Sequence, residues 1–295
     1  MKIYQLDAPH CQVGEGPVWD EAEGALYYVD IIGRKVHRYH LATGFSTSWD
    51  VPGVIGSMAV RSNGHLLLAL SDGLYSLDPA TGEVGPLCRP AGLPERAQFN
   101  DGKVDRRGRF LVGTTDAKIT EAIGSVYLFT PDHVLTKIES DIIISNGPCW
   151  SPDDRTFYFS DTGRNQIYAF DYDIEAGAVS NRRNFANMIE LGLGGIPDGA
   201  TVDRDGLMWM AICEGAKLVA FRADGTIERT IEMPITLPSS VMFGGADLDL
   251  LFVTSIDPLA LKALGMDRDA EQGGGRLWVV EGLGAQGIAE PRFAG

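Results

Sequence analysis

Short apolar runs recur behind polar turns at residues 25–30, 65–69, 109–113, 156–160, 207–211 and 250–254. Each is followed by a second strand-like run, at 35–39, 73–77, 125–129, 166–170, 217–221 and 275–280, and preceded by a third segment, at 14–20, 55–61, 99–105, 145–151, 197–203 and 239–244. Runs of this kind, bounded by Gly, Pro, Asn and Asp, read as strands. The unit repeats every roughly 40–50 residues, the period of propeller blades. Helical periodicity is nearly absent, and its one weak candidate is Pro258-Leu259-Ala260-Leu261-Lys262-Ala263-Leu264, so βαβ architectures are excluded. Sixfold self-similarity selects a propeller over a sandwich or barrel. The expected fold is an all-β, six-bladed β-propeller with four-stranded blades, one domain over residues 1–295. The run from Lys2 to Leu6 precedes the first repeat, so it is expected to pair with the last blade and close the ring, hiding sheet edges.

Composition supports a packed core: 44% of the 295 residues are hydrophobic and 22% charged. A net charge of −15 argues against a nucleic-acid partner, which needs clustered Lys and Arg. Cys11, Cys88, Cys149 and Cys213 are too scattered for a disulfide framework or a CxxC metal site, and are read as reduced and mostly buried. No run approaches the ~20 apolar residues of a membrane span, and the start carries no apolar leader segment. These features point to a cytoplasmic enzyme or binding protein, monomeric or a small homo-oligomer, with no nucleic-acid or membrane partner.

The inner strand of a blade lies next to the central channel, so residues in equivalent register at its start surround the axis. Counting back from Asp20, Arg61, Asp105, Ser151 and Asp203 gives Glu15, Gly56, Asn100, Asn146 and Asp198, with Ser239 or Ser240 at the sixth place. Two carboxylates and two amides, with no His or Cys, make a hard-oxygen set suited to one divalent cation: Ca²⁺, Mg²⁺ or Mn²⁺, with Zn²⁺ less typical. Turn chemistry alone explains any one of these residues, but not their shared register in separate blades.

Several motifs are read as decoys. Gly282-Leu283-Gly284-Ala285-Gln286-Gly287 fits GxGxxG but has no helix or strand after it to complete a nucleotide fold, so it is a terminal turn. No GxSxG elbow occurs. His10, His37, His40, His65 and His133 fall outside the axial register and read as surface or packing residues. Cys149 reads as core, and Trp19, Trp150 and Trp209 as inter-blade packing.

Gly14-Glu15-Gly16-Pro17-Val18-Trp19, Phe99-Asn100-Asp101-Gly102-Lys103-Val104-Asp105, Ser145-Asn146-Gly147-Pro148 and Pro197-Asp198-Gly199 closely resemble four motifs of the senescence marker protein 30/gluconolactonase family, also called regucalcin-like. Ser180-Asn181-Arg182-Arg183 and Phe243-Gly244-Gly245 extend the resemblance in the same order over nearly the whole chain. It implies that Glu15, Asn146 and Asp198 bind one divalent metal, that Asn100 contacts substrate or a metal-bound water, and that Asp198 is the catalytic base. The implied activity is hydrolysis of a sugar-acid lactone, such as glucono-, arabino- or xylonolactone, to the aldonic acid. The chain departs from the family at the substrate end, where Gln98 stands in place of a common Arg, with Arg96 two residues earlier, and where the loop after Gly113-Thr114-Thr115 is short and carries Asp116 and Lys118. Gln98, Asn100 and Asp116 are expected to bind substrate hydroxyls. The alternative is a non-enzymatic propeller that binds calcium, another divalent metal or a small ligand.

Overall fold

The structure is a computed structural model that describes residues 1–262, 265–266 and 268–295. Its strands form six four-stranded antiparallel sheets, arranged as the blades of a propeller. Blade one consists of Gly14–Asp20, Ala25–Asp30, Lys35–His40 and Phe45–Asp50 from axis to rim. Blade two is Ile55–Val60, Leu66–Leu70, Gly73–Leu77 and Val84–Cys88, and blade three is Ala97–Val104, Phe110–Asp116, Gly124–Phe129 and Leu135–Ile142. Blade four is Ser145–Trp150, Thr156–Asp161, Gln166–Asp173 and Ala178–Asn187, and blade five is Ile196–Val202, Met208–Cys213, Lys217–Phe221 and Ile227–Glu232. Blade six takes Pro238–Gly244, Leu250–Ser255 and Trp278–Glu281 from the end of the chain, and its outer strand, Lys2–Gln5, from the beginning. Ile3 lies opposite Val280 in that closing pair, as the sequence leads one to expect.

The core is divided into seams, each shared by two neighbouring blades. Leu66 and Leu68 of blade two pack with Tyr27 and Val29 of blade one, while Leu67 and Ala69, on the opposite face of the same strand, pack with Phe110 and Val112 of blade three. Because both faces of a middle strand are covered, its sequence is apolar without alternation. Trp19 of blade one stacks on Phe252 of blade six at 5.5 Å, and Trp209 of blade five meets Phe243 of blade six edge-on, as expected for inter-blade packing. Cys149 is buried in the seam between blades four and five.

Two local expectations are adjusted. The third strand of blade six begins at Trp278 rather than 275, because the preceding backbone is engaged by the ring-closing loop: Cys11 N–H donates to the Gly275 carbonyl and Leu6 N–H to that of Leu277. The weak helical stretch forms a short helix, Pro258–Lys262, whose expected continuation through Ala263 and Leu264 lies outside the described residues. No helix among the described residues is long and apolar enough to cross a membrane.

The GxGxxG segment belongs to a strap that crosses the end of the propeller where the inner strands finish. Gly287 bridges to Asp203, Phe293 to Arg61, and Arg292 makes an ion pair with Asp20. The Leu283 carbonyl accepts from Arg229. The strap thus touches several blades at the residues that set the axial register, leaving the opposite end of the channel for the candidate site.

Candidate metal and active site at the propeller axis

Each inner strand is irregular at its start. The register shifts fall at Glu15/Val18, Ile55/Ser57, Phe99/Gly102, Asn146/Cys149, Pro197/Ala200 and Pro238/Ser240, so all six blades bulge at the axial level. A bulge re-aims the side chain beside it, and here it does so in every blade at one height. Gly16 and Gly147, with φ of 51° and 57°, supply the left-handed residue directly after Glu15 and Asn146. A Cβ on Gly147 would also lie 2.7 Å from the Asp198 carbonyl oxygen. The Asn-Gly and Glu-Gly pairs are therefore turn formers that also fix the bulges of their inner strands.

Side chains tie the bulges together around the channel. Ser57 Oγ donates to the Asn100 carbonyl (2.6 Å), Thr162 Oγ1 to that of Pro197 (2.7 Å), and Ser239 Oγ to that of Gly14 (2.5 Å). Lys103 Nζ reaches across to the Ala200 carbonyl at 2.8 Å. Asp101 is buried and accepts Gly102 N–H and, from the next blade, Gly147 N–H at 2.9 Å. Asn100 Nδ2 donates to the Ser145 carbonyl (2.7 Å) and to Asn146 Oδ1 (3.0 Å). Thr162 has spent its proton on Pro197, so it accepts from Asn146 Nδ2 at 2.9 Å, which orients the Asn146 amide with its oxygen on the Asn100 side.

Glu15, Asn146 and Asp198 are each only 6% exposed. Burial pushes the Glu15 carboxyl well above its ordinary pKa, and the charges of Asp198 and Asp101 push it further; its one opposing hydrogen bond comes from Gly16 N–H. Asp198 is likewise raised by burial and then by Asp101, with partial relief from a hydrogen bond of the Cys213 thiol. Asp101 is raised by burial, offset in part by Lys103. Buried carboxylates that raise one another's pKa are a costly arrangement, which a cation in their midst relieves. The donors are carboxylate and amide oxygens, so the residues present fit a hard divalent cation held by Glu15, Asn146 and Asp198.

At the substrate end, Gln98 and Asn100 share one face of their strand, both partly exposed, while Phe99 between them enters the core. Asp116 does not join them, which corrects the expectation that it binds substrate hydroxyls. It pairs with Ala97, so its side chain falls on the opposite face of the sheet, and it is fully buried. Its carboxylate accepts Lys118 N–H, Thr120 N–H and Oγ1–H, and Glu121 N–H, with Arg96 at 3.4 Å. Asp116 is a staple for its own loop, and Arg96 binds that loop through Glu121 at 2.7 Å.

Sequence reasoning missed Asp101, Thr162 and Cys213. Asp101 stands beside the axial Asn100 in the bulge; Thr162 opens the 3-10 turn Thr162–Arg164 after the second strand of blade four, Cys213 ends the second strand of blade five, and nothing in a single sequence links them to Asn146 and Asp198. Also unforeseen is a tight group away from the ring: Cys11, Asp30 and His37 of blade one and its entry loop, all buried, each place a ligand atom within 4.8 Å of the others.

The chain matches the family model described as SMP-30/Gluconolactonase/LRE-like region over residues 13–257. It is 37% identical to regucalcin of Xenopus laevis, covering 100% of this chain and 99% of that protein. Among solved structures, a calcium-binding regucalcin of Agrobacterium tumefaciens is 29% identical with a TM-score of 0.88, covering 98% of this chain and 96% of that one. A gluconolactonase of Xanthomonas campestris is 28% identical with a TM-score of 0.75, covering 94% and 88%. A six-bladed ring with this axial oxygen cluster and these relatives has one reading at the level of family: the chain belongs to the SMP-30/gluconolactonase/LRE-like family.

Proposed function

We propose that this protein is a metal-dependent lactonase that opens a sugar-acid lactone to its aldonic acid, with Glu15, Asn146 and Asp198 as metal ligands and Asp198 as the catalytic base. The observation that supports it most is the burial of Glu15, Asp101 and Asp198, from three blades, beside paired amides at one end of the channel. Bound by Glu15, Asn146 and Asp198, a Ca²⁺-, Mg²⁺- or Mn²⁺-type ion supplies Lewis-acid polarisation of the lactone carbonyl.

The chain's own residues do the rest. Asp198 takes a proton from water as the water oxygen bonds to the carbonyl carbon, and returns that proton to the ring oxygen when the ester C–O bond breaks. One carboxylate oxygen of Asp198 would hold the ion and the other face the water, because the oxygen on the cation is the weaker proton acceptor. Thr162 holds the Asn146 amide in one orientation, and Asp101 holds the bulge that carries it. Gln98 would offer its amide donors and oxygen to sugar hydroxyls, and Asn100, whose amide hydrogens go to the Ser145 carbonyl and Asn146 Oδ1, would offer its oxygen. The mixed polar mouth suits a small polyol lactone better than an aliphatic ester.

A second reading, a calcium-binding propeller without catalysis, is favoured by the relatives that carry the regucalcin name, one of them described as calcium-binding. A proton-release assay separates the two. Acidification of a weakly buffered panel of glucono-, galactono-, arabino- and xylonolactone, above the spontaneous rate and abolished by chelation, is the expected result. No release for any of them, with calcium still bound in a direct binding measurement, would replace the lactonase with the binding protein.

A further inference from the structure

We propose that Cys11, Asp30 and His37 form a second metal site, separate from the axial one, that takes zinc or a similar transition-metal ion and ties the ring-closing loop to blade one. Cys11 lies between the closing strand Lys2–Gln5 and the inner strand Gly14–Asp20, Asp30 ends the middle strand, and His37 belongs to the strand beyond. One ligand atom from each falls within 4.8 Å of the others, and the three residues are 1%, 4% and 2% exposed. A small inward contraction brings them to the roughly 2.0–2.3 Å bond lengths that thiolate, imidazole and carboxylate make to zinc.

The hydrogen bonding around the cluster leaves a ring nitrogen and a hydroxyl unmatched. His37 Nδ1 is 2.7 Å from Ser48 Oγ, which sets the ring orientation as the outer partner of a metal-bound histidine does. His37 Nε2 is buried and has no hydrogen-bond partner among the described residues, and the neighbouring Tyr28 hydroxyl, also buried, has none among them either. The two rings are 5.0 Å apart. Asp30 accepts Gln12 N–H (2.9 Å), Val13 N–H (3.0 Å) and Gly33 N–H (3.0 Å), so about one of the four lone-pair sites of its carboxylate is left for a further bond. Protein interiors rarely leave a ring nitrogen without a partner beside a thiol and a carboxylate.

Metal capture uses the neutral imidazole of His37 and the thiolate of Cys11, so the thiol proton is released on binding. Sulfur and nitrogen in the donor set disfavour Ca²⁺ and Mg²⁺, the ions that suit the axial oxygens. The inference does not depend on lactonase activity.

Cobalt substitution tests it. Metal-stripped protein titrated with Co²⁺ is expected to develop a thiolate-to-cobalt charge-transfer absorption in wild type, in Asp198→Asn and in Cys213→Ser, and to lose it in Cys11→Ser, with at least tenfold weaker cobalt binding in His37→Gln. Absence of the absorption in wild type, its survival in Cys11→Ser, or its loss in Cys213→Ser instead would overturn the assignment. Zinc-edge X-ray absorption on wild-type protein needs no variant: sulfur and imidazole in the first shell support the site, and an all-oxygen shell rejects it. The lactonase reading can fail in the proton-release assay while this site stands, and the reverse holds too.

Discussion

Asp198 and Asp116 are both buried aspartates at the same end of the propeller, yet the protein treats them in opposite ways. At the axis, Asp198 is aimed inward by a bulge, near Glu15 and Asp101, and burial pushes its pKa well up. In the blade-three loop, burial would raise Asp116 too, but N–H groups of Thr120, Lys118 and Glu121 outweigh it and bring the carboxyl down to about 2. The difference is in donors rather than depth. A carboxylate saturated with backbone N–H groups is structural; one left short of them among like charges is a place for a cation or a proton.

The comparison can be broken most forcefully at the axis. Asp198→Asn removes the proposed base while keeping the shape, and the proposed lactone turnover is expected to fall by about 10³-fold, within the range for losing a general base. If that variant keeps the wild-type kcat, Asp198 is not the base. Chelation should have a comparable effect on rate. If the proposed cation separates the axial carboxylates, chelation should also lower the melting temperature, with recovery on adding Ca²⁺, Mg²⁺ or Mn²⁺.

A smaller effect is expected one shell out. Thr162→Val removes the acceptor that orients Asn146, and metal affinity should drop by about 10–100-fold with recovery of rate at saturating metal. Unchanged affinity in a calorimetric titration would reduce Thr162 to packing. The smallest effect on activity belongs to Asp116→Asn, in which kcat should stay within about threefold of wild type, since the carboxylate touches only its own loop and Arg96.

Stability should reveal Asp116 instead. Its pKa is lower folded than its ordinary value of 3.8, so ionised Asp116 stabilises the fold in full above that value, and the contribution is lost as pH falls through about 2. The melting-temperature gap between wild type and Asp116→Asn should therefore be widest near neutral pH and close over that acid window. A gap that widens on acidification contradicts the staple.

Much of the architecture was legible because propeller blades bury both faces of their middle strands, which writes uninterrupted apolar runs such as Leu66–Leu70 into the chain. The rim strands were less visible: Phe45–Asp50 and Ile227–Glu232 are largely exposed on both faces, so their residues carry no marked pattern. Equivalent register singled out Glu15, Asn100, Asn146 and Asp198, and each stands at the bulge of its inner strand, which recurs with the repeat. Asp116 misled because spacing along a strand does not say on which face of a neighbouring strand a side chain falls, and one residue of register reverses it.

The sequence alone determined the number of blades, their closure by the N-terminal strand and the hard-oxygen character of the axial ring, all of which depend on local pattern and chemical type repeated through the chain. Only the tertiary structure decided what each polar group meets: that Asp101 braces Gly147, that Thr162 fixes the Asn146 amide, that Asp116 turns into its loop, and that Cys11, Asp30 and His37 converge. These are contacts between residues far apart in the chain or on faces set by register. Their energies depend on distances of a few ångströms that no one-dimensional spacing encodes.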